Sequence, residues 1–212
     1  MDTTSTRPQR ADAVRSRAKL LAAATELFAA DGIETSVADI THRAGLGKGT
    51  FFRHFPTKDD LVAAVVGETL NRLAARGTEL ANAEDPAAGL YDFMCAAIEL
   101  QAEDRAFCEV VAGAAQGHDQ VQTAVRELHE MVQHLTERAQ AHGSIRSDIT
   151  GEDIALLLSG VFQTASPLIH EQPDLWRRYL SLLFDGLQRT AARPLTSAPP
   201  IRREPEGDRI RD

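Results

Sequence analysis

Ser36-Val37-Ala38-Asp39-Ile40, then Ala44-Gly45-Leu46-Gly47-Lys48-Gly49-Thr50-Phe51-Phe52-Arg53-His54-Phe55, is the stretch whose reading decides the fold. Ser36 with Asp39 makes an acid-containing capping box that opens a short helix with an inner face of Val37, Ile40, Thr41 and Ala44. Gly45-Leu46-Gly47 supplies a tight turn, and Gly47 serves as N-cap of a second, stubby helix. Pro56 stops that helix, because it disfavours helical geometry at Phe55 and carries no N–H. Two short helices around a glycine turn, the second bearing cationic and hydroxyl groups, form a helix-turn-helix suited to a DNA groove.

On the wheel of the second helix, Phe51 and Phe55 are four residues apart and point the same way, into a small core. Gly49, Thr50, Phe52 and Arg53 then face outward, with Lys48 and His54 on the flanks. Gly49 allows close backbone approach, Lys48, Thr50 and Arg53 can donate to phosphates or base edges, and Phe52 can meet a thymine methyl. Thr35 or Ser36 and Lys58 stand at helix starts, where amides and positive dipole ends hold phosphates. Arg10, Arg15, Arg17 and Lys19 offer further cations.

The rest of the chain supports this reading. Its 212 residues, 43% hydrophobic, are enough for one large core or two small ones. The formal charge of −8 is unevenly spread: residues 1–60 hold nine Lys/Arg against eight Asp/Glu, and residues 61–212 hold fourteen against twenty-three. The acidity lies away from the reading head, and beyond about 8–10 Å it is partly screened at physiological salt. The sequence has no run of about 18 apolar residues, no apolar leader in Met1–Pro8 and no metal or redox spacing at Cys95 and Cys108, so a reducing cytoplasm is expected.

Periodicity predicts helices throughout. The first runs from about Ala13 to Ala30 on Leu20, Leu21, Ala24, Leu27 and Phe28, and Gly32 ends it with Ile33 folding back. Thr57 with Asp60 caps a long helix over Lys58–Ala83, striped by Val62, Val65, Val66, Thr69, Leu73 and Leu80. Its length, on the order of 35–40 Å, joins two layers of the molecule. Further helices are expected near 87–102, 104–116, 119–142, 151–170 and 173–192, with no strand, giving an all-α chain of about nine helices. The organisation predicted is a flexible arm at 1–12, a DNA-binding domain at 13–57, an effector-binding and dimerisation domain at 58–193 and a disordered tail at 194–212.

The run from Leu27-Phe28 through Gly32, Thr35–Ile40 and Ala44–Leu61 resembles the N-terminal signature of the TetR/AcrR family over about fifty residues with almost no gap. These are one-component bacterial transcriptional regulators, mostly repressors. The resemblance implies an all-α homodimer whose paired reading helices enter successive major grooves of a palindromic operator. It places Ser36, Lys48, Gly49, Thr50, Phe52, His54 and Lys58 where the family touches DNA. Two positions depart from it. The family usually has Tyr where this chain has Phe52, and often Ser where Gly47 stands; each loss costs about 1 kcal/mol.

Beyond the head, Ser147–Gly160 and Trp176–Leu187 are similar to the last two helices of many members, which form the dimer. Ile154, Leu157, Leu158, Val161, Phe162 and Ala165 on one helix, and Trp176, Tyr179, Leu180, Leu183 and Leu187 on the other, make apolar arcs wider than one small domain needs. The resemblance also implies a cavity for a lipophilic or amphipathic effector, with Phe93, Met94, Ile98, Phe107, Val111, Val132, Leu135 and Phe162 as candidate lining. Gln101, Cys108, His134 and Gln163 are candidate polar contacts. Cys95, Cys108, His129 and His134 are not spaced as a metal set, and no nucleophile elbow or phosphate loop occurs, so no metal, cofactor or catalytic residue is expected. An alternative stays open: a small-ligand carrier or helical-bundle enzyme with a vestigial head, for which Phe52 and Gly47 speak. Repressor and activator are not distinguished by sequence.

Overall fold

A computed structural model of the chain describes residues 6–32, 34–103, 118–169, 171–191 and 193–200. Among the described residues there are eight α-helices: α1 (Thr6–Asp31), α2 (Val37–Ala44), α3 (Lys48–His54), α4 (Lys58–Leu80), α5 (Pro86–Glu103), α6 (Asp119–Ala141), α7 (Gly151–Ala165) and α8 (Leu175–Leu187). Short 3-10 turns follow α7 and α8, and the described residues hold no strand, only an isolated antiparallel bridge between Ile145 and Gln188. The helix expected near 104–116, and Ile33 behind Gly32, lie outside the described residues.

The all-α reading holds, and the differences are at helix ends. The first helix starts at Thr6 rather than Ala13, so the stretch expected as a flexible arm is helical from there. Pro8 is compatible with this, because first-turn N–H groups have no intrahelical partner to lose. The helix expected to reach residue 170 stops at Ala165, since Pro167 lacks an N–H and its ring meets the carbonyl four residues back. The last helix ends at Leu187 rather than 192, because Gln188 turns extended to pair with Ile145.

The chain divides into two compact units, Met1–Ala74 with Glu99–Leu128, and Ala75–Ile98 with His129–Asp212. In the first, the predicted stripe of α1 (Leu20, Leu21, Ala24, Phe28) is buried against Ile40 of α2, Phe51 of α3 and Leu61, Val62, Val65, Val66 and Leu70 of α4. Val121 and Ala124 from the N-terminal half of α6 complete this core. In the second, Leu90, Phe93, Met94 and Ile98 of α5, Val132, Leu135 and Ala139 of α6, Ile154, Leu158 and Val161 of α7 and Trp176 and Leu180 of α8 are buried. Position 151, the first of α7, requires glycine, because a Cβ there would lie 2.7 Å from the Gln133 backbone. A reciprocal Thr150–Asp153 capping box closes the same end.

The α2–α3 turn is a Schellman cap. Gly45 adopts φ 65°, its N–H bonds the His42 carbonyl at 3.1 Å, and the Leu46 N–H reaches the Thr41 carbonyl at 2.9 Å. Nothing lies within 4 Å of where a Gly45 Cβ would sit, so a side chain meets only backbone strain. Gly45→Ala is therefore expected to lower stability by about 1 kcal/mol, and Gly45→Asn by less, in urea melts. Equal midpoints for Gly45→Ala and the parent chain would contradict this account of the turn.

Candidate nucleic-acid interface

α3 is short and poorly capped, so its orientation comes from what it buries. Phe51 is fully buried and Phe55 nearly so, their rings 6.0 Å apart. Phe52 lies edge-on to Phe51 at 5.2 Å yet is 52% exposed. From α1, the Arg17 guanidinium sits 5.2 Å above the Phe55 ring and fixes the far end of the helix. Phe55 leaves helical geometry at φ −134°, ψ 100°, as the residue before Pro56 is inclined to do.

With the phenyl rings inside, the opposite face carries the chemistry. Gly47, Lys48, Gly49, Phe52 and Arg53 are exposed, while Thr50, His54 and Lys58 are half-buried at its edges. Arg53 lies back along the helix, donating to Thr50 Oγ1 at 3.1 Å and toward the Gly49 carbonyl at 3.4 Å. Among the described residues no carboxylate pairs with Lys48 or Lys58, whereas Arg43 is held by Glu26 and Arg15 by Asp12. Gly47 caps α3 with no side-chain hydrogen bond, so the helix is stabilised by packing rather than by its cap.

The two flanking helix starts are firmly built. Ser36 Oγ accepts the Asp39 N–H at 3.2 Å. Thr57 and Asp60 exchange bonds, the Thr57 N–H donating to the carboxylate at 2.9 Å and the Asp60 N–H to the hydroxyl at 3.1 Å. The Thr57 hydroxyl, with its N–H, holds the Asp60 carboxyl below its ordinary range, so this cap is charged at neutral pH. Thr35 stands just before the Ser36 cap. It is 8% exposed and its hydroxyl donates to the Gly32 carbonyl at 3.0 Å. Its side chain closes the turn after α1 and has no donor left for a phosphate.

Residues expected elsewhere divide sharply. Phe93, Met94, Ile98, Val132 and Leu135 are packed core of the second unit, and Phe162 is half-buried. Phe107, Cys108 and Val111 lie outside the described residues. Of the residues expected to join two copies, Ile154, Leu158, Val161, Trp176 and Leu180 are buried by their own chain. Side chains covered in this way have little surface of their own to give a partner. Leu157, Tyr179 and Leu183 remain half-buried. On the outer faces of α7 and α8, Leu156 and Leu182 are 56% and 60% exposed. Each stands two residues out of phase with the inner stripe of its helix. Among the described residues no group of three His, Cys, Asp or Glu gathers as a metal set, and no helix is long and apolar enough to cross a membrane.

A groove of about 580 Å³ lies in the first unit, between α4 and α6, with Ala63, Gly67 and Ala124 below and Glu68, Asn71 and Glu127 at its edge. It shares no residue with the expected effector lining.

Residues 20–65, the span that holds α2 and α3, match the model for bacterial regulatory proteins of the tetR family. Residues 85–189 match that of the SbtR-like transcriptional regulator C-terminal domain. A TetR transcriptional regulator from Streptomyces coelicolor is 31% identical, with a TM-score of 0.64 over 82% of this chain and 99% of that one. The chain belongs to the TetR family. A second TetR regulator, from Mycobacterium vanbaalenii, is 32% identical over 85% of this chain and 99% of its own, with a TM-score of 0.62. An HTH-type transcriptional repressor of Mycobacterium tuberculosis is 46% identical over 71 residues, 36% of its length, so this chain spans about a third of that relative. TetR-family proteins are transcriptional regulators rather than enzymes, which sets aside the helical-bundle enzyme reading.

Proposed function

We propose that this chain is a homodimeric repressor that binds a palindromic operator through α3 and is released by a small-molecule inducer. The observation that carries the reading is the pair of buried rings, Phe51 and Phe55, which leave Lys48, Gly49, Phe52 and Arg53 at the surface. Lys48, Lys58 and the Ser36 end of α2 supply phosphate contacts that set register. Gly49 permits close approach, Thr50 and Arg53 read base edges once Arg53 swings off Thr50, and Phe52 packs on a thymine methyl or a sugar. His54 and Gly47 flank the contact. The effector enters the second unit near Phe93, Met94, Ile98, Val132, Leu135 and Phe162, and shifts the population toward a state that no longer fits the operator.

Two copies meet through the outer faces of α7 and α8. Leu156 stands four residues before Gly160, and Leu182 four before Gly186; both glycines have open space where a Cβ would be. Leucine beside glycine on each helix favours close helix approach by an identical surface.

The test is selection of bound fragments from genomic DNA, followed by retardation assays over a salt series. A preferred fragment with a palindrome is expected, its affinity falling linearly in log–log with salt. Retention of all fragments alike, with no preferred site, would overturn the proposal.

A further inference from the structure

The chain beyond α8 does not trail free of the second unit. Gln188 bridges Ile145, the Arg146 N–H donates to the Leu187 carbonyl at 3.0 Å, and the Arg189 N–H to the Ser144 carbonyl at 3.0 Å. A side-chain clasp lies over this short ladder. Arg146 gives Asp148 two parallel bonds, at 2.6 and 2.9 Å, and donates to the Arg193 carbonyl at 2.5 Å. The Oδ2 of the same carboxylate, which already accepts one of the two arginine bonds, also accepts the Leu195 N–H at 3.1 Å. Gln140, from α6, supports the loop by donating to the Arg146 and Ile149 carbonyls at 3.0 and 2.9 Å. The tail expected to be disordered from Pro194 is thus tied down at its first residues.

The clasp is a built feature. The Arg146 side chain is only 11% exposed, and Ile145 beside it is buried. The Arg146 hydrogen bonds hold the Asp148 carboxyl far below the ordinary carboxylate range, so both partners are charged. Its position gives it consequence, because the Arg146–Asp148 loop shortly precedes α7 and the residues it grips follow α8 and the short 3-10 turn after it. These are the helices that carry Leu156 and Leu182.

We infer that Arg146 and Asp148 are positioning residues for self-association: the clasp fixes the exit of α8 against the entry of α7 and so holds the two exposed leucines in the register that a second copy needs. The inference rests on the proposal that copies pair through this face.

The experiment uses the full chain and three variants, Asp148→Asn, Arg146→Lys and the double Leu156→Glu/Leu182→Glu. Asp148→Asn is isosteric, and Arg146→Lys keeps the charge while losing the parallel bonds. Both are expected to speed tryptic cleavage after Arg189, to loosen hydrogen exchange across 175–187, and to raise the dimer dissociation constant about tenfold in sedimentation. Faster cleavage with unchanged α8 exchange and unchanged dimer affinity would overturn the inference, as would no change in cleavage. The leucine double variant separates the two ideas. If it dissociates the dimer while the clasp variants do not, the pairing face stands and the clasp inference fails; if it leaves the dimer intact, the pairing face itself fails.

Discussion

Phe51→Ala is expected to remove operator binding by unfastening the reading helix, although Phe51 touches no DNA. The side chain is fully exposed to nothing but protein: it is 0% accessible and packs on Phe55 and Phe52 within a core built from α1, α2 and α4. Removing a buried phenyl ring costs about 3–5 kcal/mol, from lost transfer free energy and the cavity left behind. α3 cannot absorb that loss, because it is seven residues long and has no side-chain N-cap. A helix this short is held by packing alone. The expected readings are an apparent melting temperature lower by on the order of 10 °C and fast hydrogen exchange across Lys48–His54. Phe51→Leu, which keeps most of the volume, should recover most of both. Retained operator affinity in Phe51→Ala would refute the idea that the two rings orient α3.

What the sequence made legible here follows from how local each determinant is. Ser36 with Asp39, Gly45 with its left-handed φ, and Thr57 with Asp60 act within three or four residues, so composition and spacing reveal them. The stripes of α1 and α4 are equally readable, since a helix that buries one face must repeat apolar residues every three or four positions. That the Thr35 hydroxyl is spent on the Gly32 carbonyl is a bond that spacing does not record. The arcs on α7 and α8 show what apolar patterning leaves open. Ile154, Leu158 and Trp176 are as apolar as interface residues, and whether their own chain or a second copy covers them depends on distant helices. The Arg146–Asp148 clasp was invisible for the same reason: its partners stand 47 residues from Arg193 and Leu195, in a stretch whose composition reads as a polar tail.

Lys48→Glu with Lys58→Glu is expected to abolish specific binding while leaving the fold intact, the reverse of the Phe51 result. Lys48 opens α3 at the surface and Lys58 opens α4 at the edge of the same face, and no carboxylate among the described residues holds either. Glutamate is tolerated in the first turn of a helix, where negative charge complements the dipole, so stability should stay within about 0.5 kcal/mol. In the proposed dimer the pair would account for four phosphate contacts, counted over both copies. Each released counterion contributes a slope of about −0.9 in log affinity against log salt, so losing four lowers affinity on the order of a thousandfold at 0.1 M salt, before any repulsion is added. The salt slope itself should flatten by between three and four. Replacing the same lysines by glutamine should flatten the slope equally but lose less affinity, since no charge is reversed. If the glutamate variant binds the selected fragment with unchanged slope, these lysines make no phosphate contact, and the exposed face of α3 is not the surface that meets DNA.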